Sequence, residues 1–273
     1  MNEFLPDRFV ERVERLILGI EPRDAQRATR IAHPIDVVLD KPSFAPAPRT
    51  WDVAIGAADP IGSRPPVPRH NSCRHALVFP PAMDSPIAIR MYDAARRFVP
   101  RRISYPLPVP IANQGPPSRV RRPVLYPGAA YDVPQTATGM RGRVTWKQPA
   151  VNEVPARWVR VEAVINGEVV GRAHGDDRGE FLLLLRSEAG GLGDLPAPLV
   201  AQVTVFGPPA PLVVSADDPF GDLPLEALAA DPDTISPGEN LPPGYASTAL
   251  STRPVTFELG RLLANQDKFF FSV

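Results

Sequence analysis

Arg160-Val161-Glu162-Ala163-Val164-Ile165-Asn166-Gly167-Glu168-Val169-Val170-Gly171-Arg172 is the stretch that decides the fold class. Asn-Gly supplies the two positive φ values of a type I′ turn, whose twist matches that of the strands it joins. The β-branched runs on either side are therefore expected to pair as antiparallel neighbours. Working outward, Met140 to Trp146, Trp158 to Ile165, Glu168 to Ala173, Phe181 to Arg186 and Leu199 to Phe206 read as further short strands. In the first half, Ile35 to Asp40, Trp51 to Ile55, Ala76 to Phe79 and Ile87 to Tyr92 have the same character, each bounded by Pro, Gly, Asn or Asp. Short runs separated by turn residues at regular intervals are the mark of a sandwich or barrel.

Composition agrees. The 273 residues include 36 prolines and 19 glycines, about a fifth of the chain against a usual share near an eighth. Proline inside a helix loses a hydrogen bond and clashes with the preceding turn, so a mostly helical protein and a long coiled coil are excluded. With 44% hydrophobic and 22% charged residues the chain is not disordered in character. Residues 8 to 20 stay open: Phe9, Val13, Leu16, Ile17 and Ile20 have helical spacing, while Arg15 to Ile20 reads equally as a strand entering a turn at Glu21 to Asp24.

Between Pro100 and Pro134 proline becomes dense, with Pro106, Pro108 and Pro110 on alternate positions, which forces an edge or a polyproline path. The expected organisation is an N-terminal β-sandwich over 1–110, a proline-rich connector over 111–138, and a second sandwich over 139–273. Residues 207–254, rich in Pro, Asp, Gly and Ser, read as a surface excursion or contact arm with one helical turn at Leu223 to Ala230. Val255 to Leu259 and Lys268 to Val273 would then close the second sandwich. The Phe269-Phe270-Phe271 run within the last of them either completes that core or docks on a partner.

Gly142-Arg143-Val144, Val154-Pro155-Ala156 with Val159 and Val161, and Asp176-Asp177-Arg178-Gly179-Glu180-Phe181-Leu182 carry a family resemblance. The last of these places an Asp, two residues, Gly, one residue and an aromatic in sequence. Its physics is local: the Asp bonds turn amides, Gly takes a backbone closed to other residues, and the aromatic enters the core. On these residues the segment 139–206 resembles the carboxypeptidase regulatory-like domain, a transthyretin-like β-sandwich, and departs from it at Ser187 to Ala197. The resemblance implies a folding or interaction module without catalytic residues, found appended to enzymes, to surface proteins and to subunits of secretion machines and phage-tail-like contractile particles.

A formal net charge of zero conceals a polarised chain. Residues 1–143 carry 21 Lys plus Arg against 13 Asp plus Glu, which is +8; residues 144–273 carry 9 against 17, which is −8. Such a chain can self-associate through its oppositely charged halves, or simply present two differently charged surfaces. Of the 30 basic residues 27 are Arg, which suits planar contacts with carboxylates. Arg96, Arg97, Arg101 and Arg102 form one basic cluster and Arg119, Arg121 and Arg122 another; with Phe269, Phe270 and Phe271 they are the candidate contact residues. Nucleic acid is a weaker match than an acidic protein neighbour, because Lys is scarce and no nucleic-acid-binding fold is signalled.

Cys73 is the only cysteine, which excludes an intrachain disulfide. His70, Cys73 and His75 have irregular spacing with Arg74 among them, so no metal is expected, and Asp176, Asp177 and Glu180 already have a turn role. No Gly-x-Ser-x-Gly or phosphate-binding loop occurs, and no cofactor is expected. Neither a secretory signal nor an apolar stretch of about 20 residues is present, which points to a cytoplasmic, non-inserted protein. The expectation is a non-enzymatic structural or adaptor protein that binds other subunits of an assembly, with a bacterial phage-tail-like contractile injection particle as its setting. The competing expectation is a carbohydrate- or ligand-binding module using Trp51, Trp146 and Trp158.

Overall fold

The protein is all-β. The computed structural model describes residues 16–40, 67–72, 74–78, 86–106, 119–147, 153–186, 198–214, 218–227, 237–264 and 268–272. The first half holds β1 (Leu16–Ile20), β2 (Arg23–Asp24), β3 (Asp36–Leu39), β4 (His75–Val78), β5 (Ile87–Tyr92), β6 (Arg101–Tyr105), β7 (Val120–Arg121) and β8 (Val124–Leu125). The second holds β9 (Gly139–Lys147), β10 (Val154–Pro155), β11 (Arg160–Ile165), β12 (Glu168–His174), β13 (Glu180–Leu184) and β14 (Leu199–Phe206). It continues with β15 (Leu225–Ala227), a 3-10 turn at Ala249–Ser251, β16 (Thr252–Phe257), β17 (Leu262–Ala264) and β18 (Phe269–Ser272).

The Asn166-Gly167 hairpin forms as its residues require, with φ of 52° and 85°. Strands β11 and β12 pair antiparallel from Arg160↔His174 to Ile165↔Glu168, with a bulge between Ala163 and Val164. On its other side β11 takes β14, and β14 takes β16, giving the sheet β12-β11-β14-β16. The facing sheet is built on β9. Its first residues lie between β13 and β17, and its last between β10 and β18. Phe181 pairs with Gly142 in that register, and a Cβ at Gly142 would lie 2.3 Å from the Phe181 ring, so only glycine lets the ring lie flat there. Between the sheets pack Val144, Trp146, Val161, Val203, Phe257, Phe269 and Phe271, all buried. Burying each of the two phenylalanines contributes about 2 to 3 kcal/mol.

A second core fills the first half, between β15-β6-β5-β3 and β4-β1-β7. Strand β13 serves both cores. Phe181 and Leu183 face the second-half core, whereas Leu182 and Leu184 face Ile20, Ile103 and their neighbours in the first. An unbroken apolar run suits a strand covered on both faces.

One open reading is resolved and two expectations need correction. Within 8–20 the described part, Leu16 to Ile20, is a strand rather than a helix. The connector expected over 111–138 contributes, over its described part from 119 on, to the first core: β7 and β8 pair with β1 and β2, and Leu125 and Tyr131 are buried; 111–118 lie outside the described residues. The helical turn expected at Leu223 to Ala230 is replaced, over Leu225–Ala227, by β15, which pairs parallel with β6 and so finds its backbone partners in the first-half sheet. The excursion is thus a strap returning across the molecule. The expected strand Trp51 to Ile55 lies outside the described residues.

Candidate functional site

Three acidic residues of the strap, Asp218, Asp222 and Glu226, are spaced four apart, and each meets an arginine. Asp218 Oδ1 accepts from Arg90 Nη1 at 2.8 Å, Asp222 is gripped by Arg157 at 2.5 and 2.9 Å, and Glu226 by Arg101 at 2.5 and 3.0 Å. Arg160 adds a third bond to Glu226 at 3.2 Å. Arg101 is 0% and Glu226 7% exposed. Burial alone would raise the Glu226 pKa, but Arg101 and Arg160 outweigh it and hold the carboxyl below its ordinary value. Nearby, His174 stacks on Tyr126 at 3.9 Å and its Nε2 lies 3.0 Å from the Gly238 carbonyl. Burial, reinforced by Arg160 and Arg101, keeps this imidazole neutral, so Nε2 carries the proton and donates it. Gly238 has φ 68°, and a Cβ there would press on the Arg101 guanidinium at 2.9 Å.

The other arginine cluster is built differently. Strand β1 sits between β4, antiparallel with Ile20↔His75, and β7, parallel with Ile20↔Arg121. The residue after β1 is Glu21, and this register sets Arg74, just before β4, and Arg122, just after β7, on either side of it. Arg23 follows in β2, and the Arg23↔Arg30 bridge brings a fourth. Glu21 Oε2 lies 2.6 Å from Arg74 Nε and 3.4 Å from Arg30 Nη2. Its Oε1 lies 3.3 Å from Arg23 Nη2 and 3.6 Å from Arg122 Nε. Burial pushes the Glu21 carboxyl up, and the hydrogen bond from Arg74 with the charge of Arg30 brings it below its ordinary value.

The contact residues expected from sequence are dispersed among these arrangements. Arg96, at φ 57°, makes a bidentate pair with Asp177 at 3.0 and 3.1 Å. Arg97 grips Asp93, Arg101 is the buried partner of Glu226, and Arg102 shares Asp40 with Arg90. Each of these four is matched to a carboxylate of the same chain, so they do not form an open basic rim. The oppositely charged halves therefore meet within one chain at Arg90–Asp218, Arg96–Asp177 and Arg101–Glu226. Of the second cluster Arg122 joins Glu21, while Arg119 and Arg121 are half-buried. Phe269 and Phe271 are core, and Phe270 is half-buried on the opposite side of β18.

Sequence reading missed Glu21, Arg23, Arg30 and Arg74 as a group. The usable signal was positional: a charged residue directly after or before an apolar run sits at a strand end, but which ends adjoin depends on the sheet order.

Trp146 and Trp158 are buried at 2% and 0% exposure and present no ring face to a sugar; Trp51 lies outside the described residues. The His75 ring is buried with Nδ1 3.2 Å from the Val67 carbonyl, and His70 Nδ1 meets Ser72; Cys73 lies outside the described residues. Among the described residues no three His, Cys, Asp or Glu side chains group as metal ligands. Asp176 Oδ1 accepts from the amides of Arg178 and Glu180 at 2.8 and 2.9 Å, the turn role read from its sequence. A cleft of about 750 Å³ lies where the halves meet, with Arg27, Tyr126, Arg172, Arg186 and Glu239 on its walls. Arg172 and Arg186 both lean on Glu239, at 3.2 and 3.6 Å.

No family model and no curated protein matches the chain. Among solved structures, a 9R-lipoxygenase from Cyanothece aligns with 52% of this chain and 17% of its own, at 12% identity and a TM-score of 0.23. The chain thus spans about a sixth of that protein's length, and at this TM-score the likeness carries no argument. No helix among the described residues is long and apolar enough to cross a membrane.

Proposed function

We propose that this chain is a non-enzymatic structural or adaptor protein that binds another protein subunit in a multisubunit assembly. One observation carries the reading: among the described residues the outer face of β14 and β16 is exposed at Val200, Gln202, Pro254 and Thr256 and bears no charge. Val200, Gln202 and Thr204 of β14 pair with Thr256, Pro254 and Thr252 of β16, and Val200 is 57% exposed. Charge depletion at the centre of a patch is what distinguishes protein interfaces from the remaining surface. Pro254 in mid-strand interrupts the β16 edge, so the partner seats on the face rather than extending the ladder.

The resemblance of residues 139–206 to the carboxypeptidase regulatory-like domain supports an interaction module. A bacterial phage-tail-like contractile injection particle is the assembly this reading favours. The test is co-purification of the full chain with the products of its neighbouring genes, followed by native mass measurement. Val200→Asp and Thr256→Arg are expected to abolish the complex while leaving the thermal midpoint of the free chain unchanged. A chain that stays monomeric and retains none of those products overturns the proposal.

A further inference from the structure

We propose that the four arginines around Glu21 form a binding site for a phosphate-class dianion, on a surface independent of the β14–β16 face. Arg23, Arg30, Arg74 and Arg122 come from separate segments, and Glu21 is the one charged partner of each among the described residues. Among the described residues the cluster therefore holds four positive charges against one negative. The carboxylate lies on the inner side, its side chain 2% exposed, whereas the four arginine side chains are 40–48% exposed. The uncompensated charge faces solvent.

A carboxylate serving only to hold the fold does not need four arginines, as Glu226 with two demonstrates. Like charges gathered this closely repel one another, and an anion placed above them relieves that repulsion. The donors for it are in place. Each guanidinium is a planar fork of five N–H groups, of which Glu21 engages one nitrogen. The terminal nitrogens of Arg74 and Arg122 have no acceptor among the described residues, and Arg23 Nε is buried without one. Arg30 is further steadied by Nη1 donating to the Ser72 carbonyl at 3.1 Å. Donors arriving from several directions suit a tetrahedral oxyanion better than a planar monocarboxylate, and a dianion neutralises most of the surplus charge.

The site is tested by calorimetric titration of the full chain with inorganic phosphate and with O-phosphoserine, at constant ionic strength, with acetate as the monoanion control. Saturable binding of one phosphate per chain is expected, with acetate at least about tenfold weaker. Tight phosphoserine binding identifies an ester on a partner as the source, and preference for inorganic phosphate identifies the free ion; either supports the site. Arg74→Gln and Arg122→Gln should each weaken phosphate by about tenfold, and Arg178→Gln, an exposed arginine elsewhere, should not. Should the arginine variants fail to fold, Glu21→Gln keeps the question open to test. It removes the internal counter-charge, so phosphate must raise its thermal midpoint more than that of the parent. Absence of saturable binding, equal binding of acetate, insensitivity to both arginine variants, or no added phosphate stabilisation of Glu21→Gln overturns the proposal.

Discussion

At Glu226 two arginines, 0% and 5% exposed in their side chains, grip one carboxylate; at Glu21 four arginines share one carboxylate while keeping 40–48% of each side chain in water. Both nodes use the same chemistry and differ in where the surplus charge sits. Around Glu226 it is enclosed and offset by the Val124 and Trp158 carbonyls, which accept from Arg101 and Arg160 at 2.6 and 2.9 Å. Around Glu21 the surplus is left to solvent. An enclosed node ties strap to sheet and has no room for a ligand, whereas an open one is loosely bound by its own protein and available to another molecule.

The widest separation between the nodes is expected in stability. Glu226→Ala leaves Arg101 and Arg160 buried without a counter-charge, a loss of about 3 to 5 kcal/mol; chemical denaturation reads it. A loss no larger than that of Glu21→Gln would erase the distinction. The complementary variant replaces the whole enclosed node, Arg101→Met with Arg160→Leu and Glu226→Leu. With no charge left to solvate, stability should be unchanged or higher by about 1 to 4 kcal/mol. Glu21→Gln is expected to cost only about 1 to 2 kcal/mol, because the four half-exposed guanidinium groups stay hydrated without the counter-charge. That cost should shrink further in salt, which screens exposed charges.

Much of this arrangement was legible before any coordinates, and the exceptions share a cause. Asn166-Gly167 and Asp176 to Phe181 were readable because their reasons are local: a turn needs positive φ, and an aspartate reaches its own amides. The polarised charge was visible as well, but not its resolution. Arg101 meets Glu226 and Arg90 meets Asp218 across 125 and 128 positions, and no short-range pattern selects such partners. Prolines suggested that 111–138 was a connector; the parallel addition of β7 and β8 to β1 and β2 outweighed that local preference. The run Phe181 to Leu185 did carry an unread signal, since a strand apolar at every position must be covered on both faces.

Protonation gives a third, smaller way to compare the nodes. Glu226 and Glu21 have folded pKa values lowered from 4.5, so each contributes stability that is present above that value and lost as pH falls through the folded value. His174, beside the enclosed node, has its folded pKa well below 6.5. The unfolded chain binds a proton there first, so stability should already decline as pH drops below about 6.5. His174→Phe is expected to reduce the slope of stability between neutral pH and the carboxylate range. His75, lowered in the same direction by burial, accounts for part of what remains. The smallest effect belongs to Lys268→Ala. Its exposed pair with Glu153 should contribute no more than about 1 kcal/mol in a double-mutant cycle.

Strand β9 also governs the order of events during synthesis. It emerges from the ribosome well before β17 and β18, the two strands that complete its second side. Until they arrive, a nascent chain holds β9 with one row of amides and carbonyls unpaired and with Trp146 lacking the Phe271 ring that packs on it. An unpaired strand beside apolar side chains is a template for association between chains. Slowed translation or truncation near the last phenylalanines should therefore appear as aggregation of newly made protein, rather than as a soluble chain with a missing edge.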